Sequence, residues 1–133
     1  MKKVLVIDGQ GGSIGRALVE EIKKEKKEVV IYALGTNSTA TENMMKGKAD
    51  FGATGENPVI VQARDADYIL GPIGIVLSDS MLGEITPNMA NAVGSSKAMK
   101  ILIPMNRCIT VTGVDESLSL KDYIRMAVER IEE

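Results

Sequence analysis

The 133-residue sequence predicts an α/β fold: a Rossmann-like three-layer sandwich on a mainly parallel sheet of about five strands, in the order 3-2-1-4-5. Three observations carry this. Short β-branched runs alternate with helical periodicities along the whole chain. The runs are apolar throughout, as expected of strands covered on both faces. The first of them opens into a glycine-rich turn and then a helix, which is the βα context of a phosphate-binding loop.

The elements follow in order. Val4-Leu5-Val6-Ile7 is a buried-type strand ending at Asp8. Beyond the glycine turn, Ile14, Ala17, Leu18 and Ile22 recur at helical spacing, and the mixed charges of residues 23–28 are that helix's solvated end. Residues 29–34 form a second buried strand. Thr36 or Ser38 then caps a short helix reaching about Lys46. Residues 48–56 have no periodicity, but they must climb back, extended, to the rim from which the next helix descends. That helix opens at Asn57-Pro58, a capping side chain followed by proline.

A third strand covers 68–71 and breaks at Pro72-Ile73-Gly74. Residues 75–85 fit a short helix that Gly83 ends early, leaving the structure of this stretch open. Thr86-Pro87 repeats the cap-plus-proline signal for a helix to about Lys97. Residues 100–105 are a fourth strand, and 109–113 a fifth at the edge beside it. Leu120, Tyr123, Ile124, Ala127, Val128 and Ile131 mark a C-terminal amphipathic helix, with Ser119 and Asp122 spaced as a capping box. Crossover handedness puts the strand at 4–8 in the middle, with 68–71 outside 29–34 and 100–105 on its other side.

Composition narrows the function. The length fits one domain over residues 1–133, with 44% apolar and 26% charged residues. A net charge of −2 supplies no field for a nucleic-acid backbone, so no nucleic-acid partner is expected. The apolar run at the N-terminus is too short for a signal core, and no run approaches the ~20 residues that span a bilayer. The lone Cys108 rules out an internal disulfide and suits a reducing compartment, so the expectation is a cytoplasmic protein with no membrane partner. Without histidine there is no Ser-His or Cys-His pair and no histidine-ligated metal. No metal site is expected, and Cys108 reads as a small buried apolar residue.

The chemistry concentrates in Asp8-Gly9-Gln10-Gly11-Gly12-Ser13-Ile14-Gly15. Its glycines match Gly-x-x-Gly-x-x-Gly through Gly9, Gly12 and Gly15. One serves the strand exit, one lets backbone approach a phosphate, and one allows helix and strand to pack closely. The free N–H groups of the helix's first turn would face the anion. By this logic Gly12 borders ligand space and Gly15 is a packing glycine. The turn resembles that of extended and atypical short-chain dehydrogenase/reductases. That resemblance implies contact of Gly9, Gln10, Gly12, Ser13 and Ile14 with a dinucleotide pyrophosphate. Three family features are missing: an acidic residue after the second strand, where Gly35-Thr36-Asn37 stands, an arginine there for a 2′-phosphate, and a tyrosine followed four residues later by lysine.

The whole chain resembles a bacterial family of about this length known as a domain of unknown function. The resemblance rests on Val-Ile-Asp-Gly-Gln-Gly-Gly at 6–12, Gly-Ala-Thr-Gly-Glu-Asn at 52–57, Gly-Pro-Ile-Gly at 71–74, Ser-Met-Leu-Gly-Glu-Ile-Thr-Pro at 80–87 and Ile-Pro-Met-Asn-Arg-Cys at 103–108. It implies the fold and no activity.

Ligands of open parallel sheets bind beyond the carboxyl ends of the strands. The candidate site is therefore Gly9, Gln10, Gly11, Gly12, Ser13 and Ile14, joined by Thr36, Asn37, Gly71, Pro72, Asn106 and Arg107, with residues 52–57 as a second anion site. The expected ligand is a phosphate-bearing small molecule, either NAD(P) or another nucleotide. A dinucleotide would need a partner half, which points to a homo-oligomer, most simply a homodimer; Met44, Met45, Met81, Met89 and Met99 can line such a contact. Two alternatives stay open. One is a small enzyme acting on a phosphorylated metabolite through Asn106, Arg107, Glu56 and Asp79, with Asp79 and Glu84 as a carboxylate pair. The other is an oligomeric scaffold whose glycine turn binds nothing.

Overall fold

The computed structural model describes residues 1–105 and 108–133. Five strands, β1 (Lys2–Asp8), β2 (Val29–Gly35), β3 (Phe51–Thr54), β4 (Tyr68–Pro72) and β5 (Met99–Ile103), pair in parallel in the order β3-β2-β1-β4-β5. The helices are α1 (Ser13–Glu25), α2 (Ser38–Lys46), α3 (Glu56–Gln62), α4 (Pro87–Ser95) and α5 (Leu120–Glu129), with a 3-10 turn at Ile73–Val76. The expected α/β class and the order 3-2-1-4-5 are both found.

Three of the five places in that order are filled by strands other than those expected, and β5, expected beside β1, pairs instead with β4 at the edge. The third is Phe51–Thr54, which pairs with β2 from Tyr32↔Phe51 to Gly35↔Thr54. The strand at 68–71 lies on the other side of β1, through Val4↔Tyr68, Leu5↔Ile69 and Val6↔Leu70. The physical reason is burial. Ile69 and Leu70 are fully buried and need neighbours on both sides, whereas Phe51 is 55% exposed and tolerates an edge. The expected edge strand at 109–113 is also corrected: those residues form no strand. Thr110, Val111 and Thr112 favour extended backbone, but strand propensity without a pairing neighbour does not make a strand.

The sheet is covered on both faces. Alternate residues Val4, Val6, Ile31 and Ala33 pack under α1, α2 and α5 against Leu18, Ile22, Met44, Ile124 and Val128. Their neighbours Leu5, Ile7, Leu34 and Ile69 pack under α3 and α4 against Val59, Ile75, Ile85, Met89 and Val93. Each Val, Leu, Ile or Met among them contributes about 1.5–3 kcal/mol when fully buried.

The helix caps decide where chain enters the site. Asn37, and neither Thr36 nor Ser38, caps α2, its side chain accepting from the Ala40 N–H at 2.9 Å. Asparagine is a stronger cap than threonine, which frees the Thr36 hydroxyl for another partner. Asn57 is not a cap: α3 begins two residues earlier than expected, at Glu56, because Gly55 at φ 104° lets the chain leave β3 directly into the helix. Thr86 caps α4 through the Met89 N–H at 3.1 Å, and Ser119 with Asp122 forms the expected capping box on α5. No helix among the described residues is long and apolar enough to cross a membrane.

Candidate functional site

All five strands are parallel, so their carboxyl ends lie along one rim, and Asp8, Gly35 and Thr54 are in register across it. The strand order reverses between β1 and β4, and there the rim opens into a crevice of about 640 Å³. Asp8, Gln10, Ile14, Pro72, Met81 and Cys108 are among its walls. Chain after β1 goes one way and chain after β4 the other, which leaves the gap between them unfilled.

Asp8 is the best-buried polar residue of the rim, 5% exposed. Its carboxylate accepts the Gly9 N–H at 2.8 Å and the Gly15 N–H at 2.7 Å. Burial pushes its pKa up from the ordinary aspartate range and the nearby Glu84 charge adds to this, while the two backbone donors pull the other way. Asp8 thus sits beneath the glycine turn and satisfies one donor of the first turn of α1. Among the described residues nothing accepts from the N–H groups of Ser13 and Ile14, so those two remain for an external acceptor.

The glycines divide differently from expectation. Gly12 caps α1 at φ 74°, and a Cβ there would lie 2.7 Å from the Ala40 carbonyl oxygen. It is a packing glycine against α2, which corrects its assignment to ligand space. Within the turn, the glycine with open space around its missing Cβ is Gly11. Gly15 packs as expected, its Cβ direction lying 2.9 Å from the Asp8 Cβ. Gly71 is buried where a Cβ would strike the Ile7 carbonyl oxygen, so its smallness lets β4 approach β1.

Thr36 and Asn37 reach the glycine turn from the end of β2, and what meets them there is Glu84. Its Oε1 accepts from the Gln10 N–H at 2.8 Å, the Thr36 hydroxyl at 2.6 Å and Asn37 Nδ2 at 2.9 Å. Partial burial alone raises the Glu84 pKa, but these three donors together hold it below the ordinary glutamate range. Glu84 is carried by a strap, residues 77–85, in which Asp79, Met81 and Leu82 adopt left-handed backbone at φ 66°, 56° and 58°. Such backbone is unfavourable for side-chain-bearing residues and collects at functional sites. Residues 75–85 are therefore mostly turns; helix is confined to the 3-10 turn at their start.

Other expected residues fall as follows. Pro72 and the exposed Asp79 line the crevice, but Glu84 is turned away to the glycine turn. Glu56 accepts from the Thr86 hydroxyl at 2.5 Å, tying α3 to α4. Cys108 is exposed at the crevice and is not the buried residue expected. Asn106 and Arg107 lie outside the described residues. No metal-holding group of three or more acidic or cysteine side chains occurs among the described residues. Sequence reasoning missed the roles of Asp8 and Glu84. The first was signalled by an acid at the strand end before glycine; the second had no local signal.

The family model for a domain of unknown function, DUF3842, matches residues 3–133. The chain belongs to that family. No curated protein matches it in sequence. Among solved structures it is similar to a dodecameric FMN-dependent UbiX-like decarboxylase from Escherichia coli O157:H7. The TM-score is 0.51 at 16% identity, over 98% of this chain and 75% of that one. At that identity the likeness is one of fold.

Proposed function

We propose that this protein binds a phosphate-bearing nucleotide of the flavin mononucleotide class, with its phosphate at the turn of residues 9–15 and its ring system in the β1–β4 crevice. The observation that carries the reading is the crevice itself, which opens at the strand-order reversal beside the two unspent N–H groups of Ser13 and Ile14. Its volume falls within the range of small-molecule sites, and Ile14, Pro72, Met81, Leu82 and Met105 give it the apolar walls a flat ring needs. The similar fold is FMN-dependent, which favours a mononucleotide over NAD(P). So does the size of the sheet, since one such unit holds one mononucleotide.

We further propose that the protein is a cytoplasmic, single-domain homo-oligomer. What supports the oligomer is Leu82, 97% exposed at the strap beside the crevice, an apolar side chain that a second copy would cover. The test is a titration of FMN followed by flavin fluorescence and calorimetry, with NAD and inorganic phosphate as comparisons. Saturable FMN binding weakened by Gly11→Val supports the reading. FMN that stays free at millimolar protein overturns it.

A further inference from the structure

We propose that the Gln10 N–H, the Thr36 hydroxyl and Asn37 Nδ2 form a binding site for a phosphate oxygen, and that Glu84 is its built-in occupant, which an incoming phosphate displaces. The ligand class rests on the reading above; the displacement does not.

The geometry points to a site larger than its occupant. Three donors from two loops converge on one atom, Glu84 Oε1, at 2.8, 2.6 and 2.9 Å. A carboxylate oxygen presents two lone-pair sites, so one donor exceeds what it can meet well. A terminal phosphate oxygen carries more charge and three lone pairs, and it satisfies three donors. No donor among the described residues bonds Glu84 Oε2, so the carboxylate is held at one oxygen only.

The cradle is also fixed independently of Glu84. The Thr36 N–H bonds the Asp8 carbonyl at 3.0 Å. Asn37 is held at both ends of its amide, Oδ1 by the Ala40 N–H and Nδ2 by the Gln10 carbonyl at 3.0 Å. Removing the glutamate therefore leaves the donors in place. The strap keeps its own shape as well: the Asp79 N–H bonds the Ile85 carbonyl, the Ser80 hydroxyl bonds the Gly74 carbonyl, and Ile85 is buried in the core. Rotation of the Glu84 side chain is enough to open the site.

The experiment titrates inorganic phosphate into wild type, Glu84→Ala and Glu84→Gln by calorimetry and phosphorus NMR, with FMN in parallel. With the cradle occupied most of the time, Glu84→Ala should bind phosphate about tenfold more tightly than wild type. Thr36→Val added to Glu84→Ala should cancel the gain. Glu84→Gln, which keeps the shape but loses the charge, should fall between, and it decides the matter if Glu84→Ala does not fold. Unchanged phosphate affinity in the glutamate variants overturns the proposal. A gain in phosphate affinity with no FMN binding in any variant rejects the flavin reading and supports the displaced carboxylate. Equal FMN binding in all variants with no phosphate gain does the reverse, and no binding of either probe overturns both.

Discussion

The Asp8 carboxylate accepts the Gly15 N–H at 2.7 Å, so the last residue of β1 is hydrogen-bonded to the first turn of α1. Its other oxygen takes the Gly9 N–H, and the glycine turn is bridged from below by one buried acid.

Asp8→Asn should therefore destabilise the fold. An amide offers one acceptor oxygen where the carboxylate offers two, leaving a buried N–H facing an NH₂ group at a cost of about 1–3 kcal/mol. The pH dependence has a definite sign. Burial raises the Asp8 pKa above its ordinary value of 3.8, so in the window just above that value the folded state binds more protons than the unfolded state. The stability contributed by Asp8 is then greatest below the window and declines as pH rises through it. Thermal melts from pH 3 to 7 should show the gap between wild type and Asp8→Asn narrowing toward neutrality. A gap that widens would refute the assignment.

Gly11 and Gly12 should separate ligand space from packing. Gly12→Val places methyls against the Ala40 backbone at a left-handed position and should lower the melting temperature by many degrees, consistent with a loss of several kcal/mol. Gly11→Val meets open space and should melt within a degree or two of wild type while weakening FMN binding. Paired melts and titrations read both effects, and a stable Gly12→Val would contradict the packing role.

Self-association should depend on the strap. Light scattering at micromolar concentration should give a mass above the 14.3 kDa of one chain, and Leu82→Ser should lower it. A wild-type monomer would reject the oligomer.

Ser119→Ala serves as the distant control. It removes the capping box of α5 and should cost about 1 kcal/mol, while phosphate and FMN affinities stay unchanged.

The parts of this molecule legible in its sequence are those specified by neighbouring residues. The run Val4-Leu5-Val6-Ile7, the glycine turn and the Ser119–Asp122 box each carry their signal within a few positions. β3 was hidden because it is a four-residue edge strand with a glycine inside and little to bury, which erases the apolar pattern. Its absence then misplaced the strand at 68–71, since a chain without β3 has nothing else to lay beside β2. Gly12 misled because an intruding side chain would meet α2, and spacing says nothing about what lies opposite. Glu84 was illegible as a partner of Gln10 because 74 residues separate them and three of the strap's four left-handed residues are not glycines.

The seam between β1 and β4 also divides the molecule by inheritance along the chain. Everything on the β2 side of it comes from residues up to 62, and β4, β5, α4 and α5 all come after 67. The two pieces are held together by three strand register pairs and by helices that clasp across the faces, α5 on α1 and α4 on α3. A break in the turn at 64–66 cuts no strand and no helix. Two separately expressed fragments, 1–64 and 67–133, accordingly present complementary edges. Mixing them should rebuild the sheet without a covalent link, and the crevice at the seam would exist only in the reassembled pair.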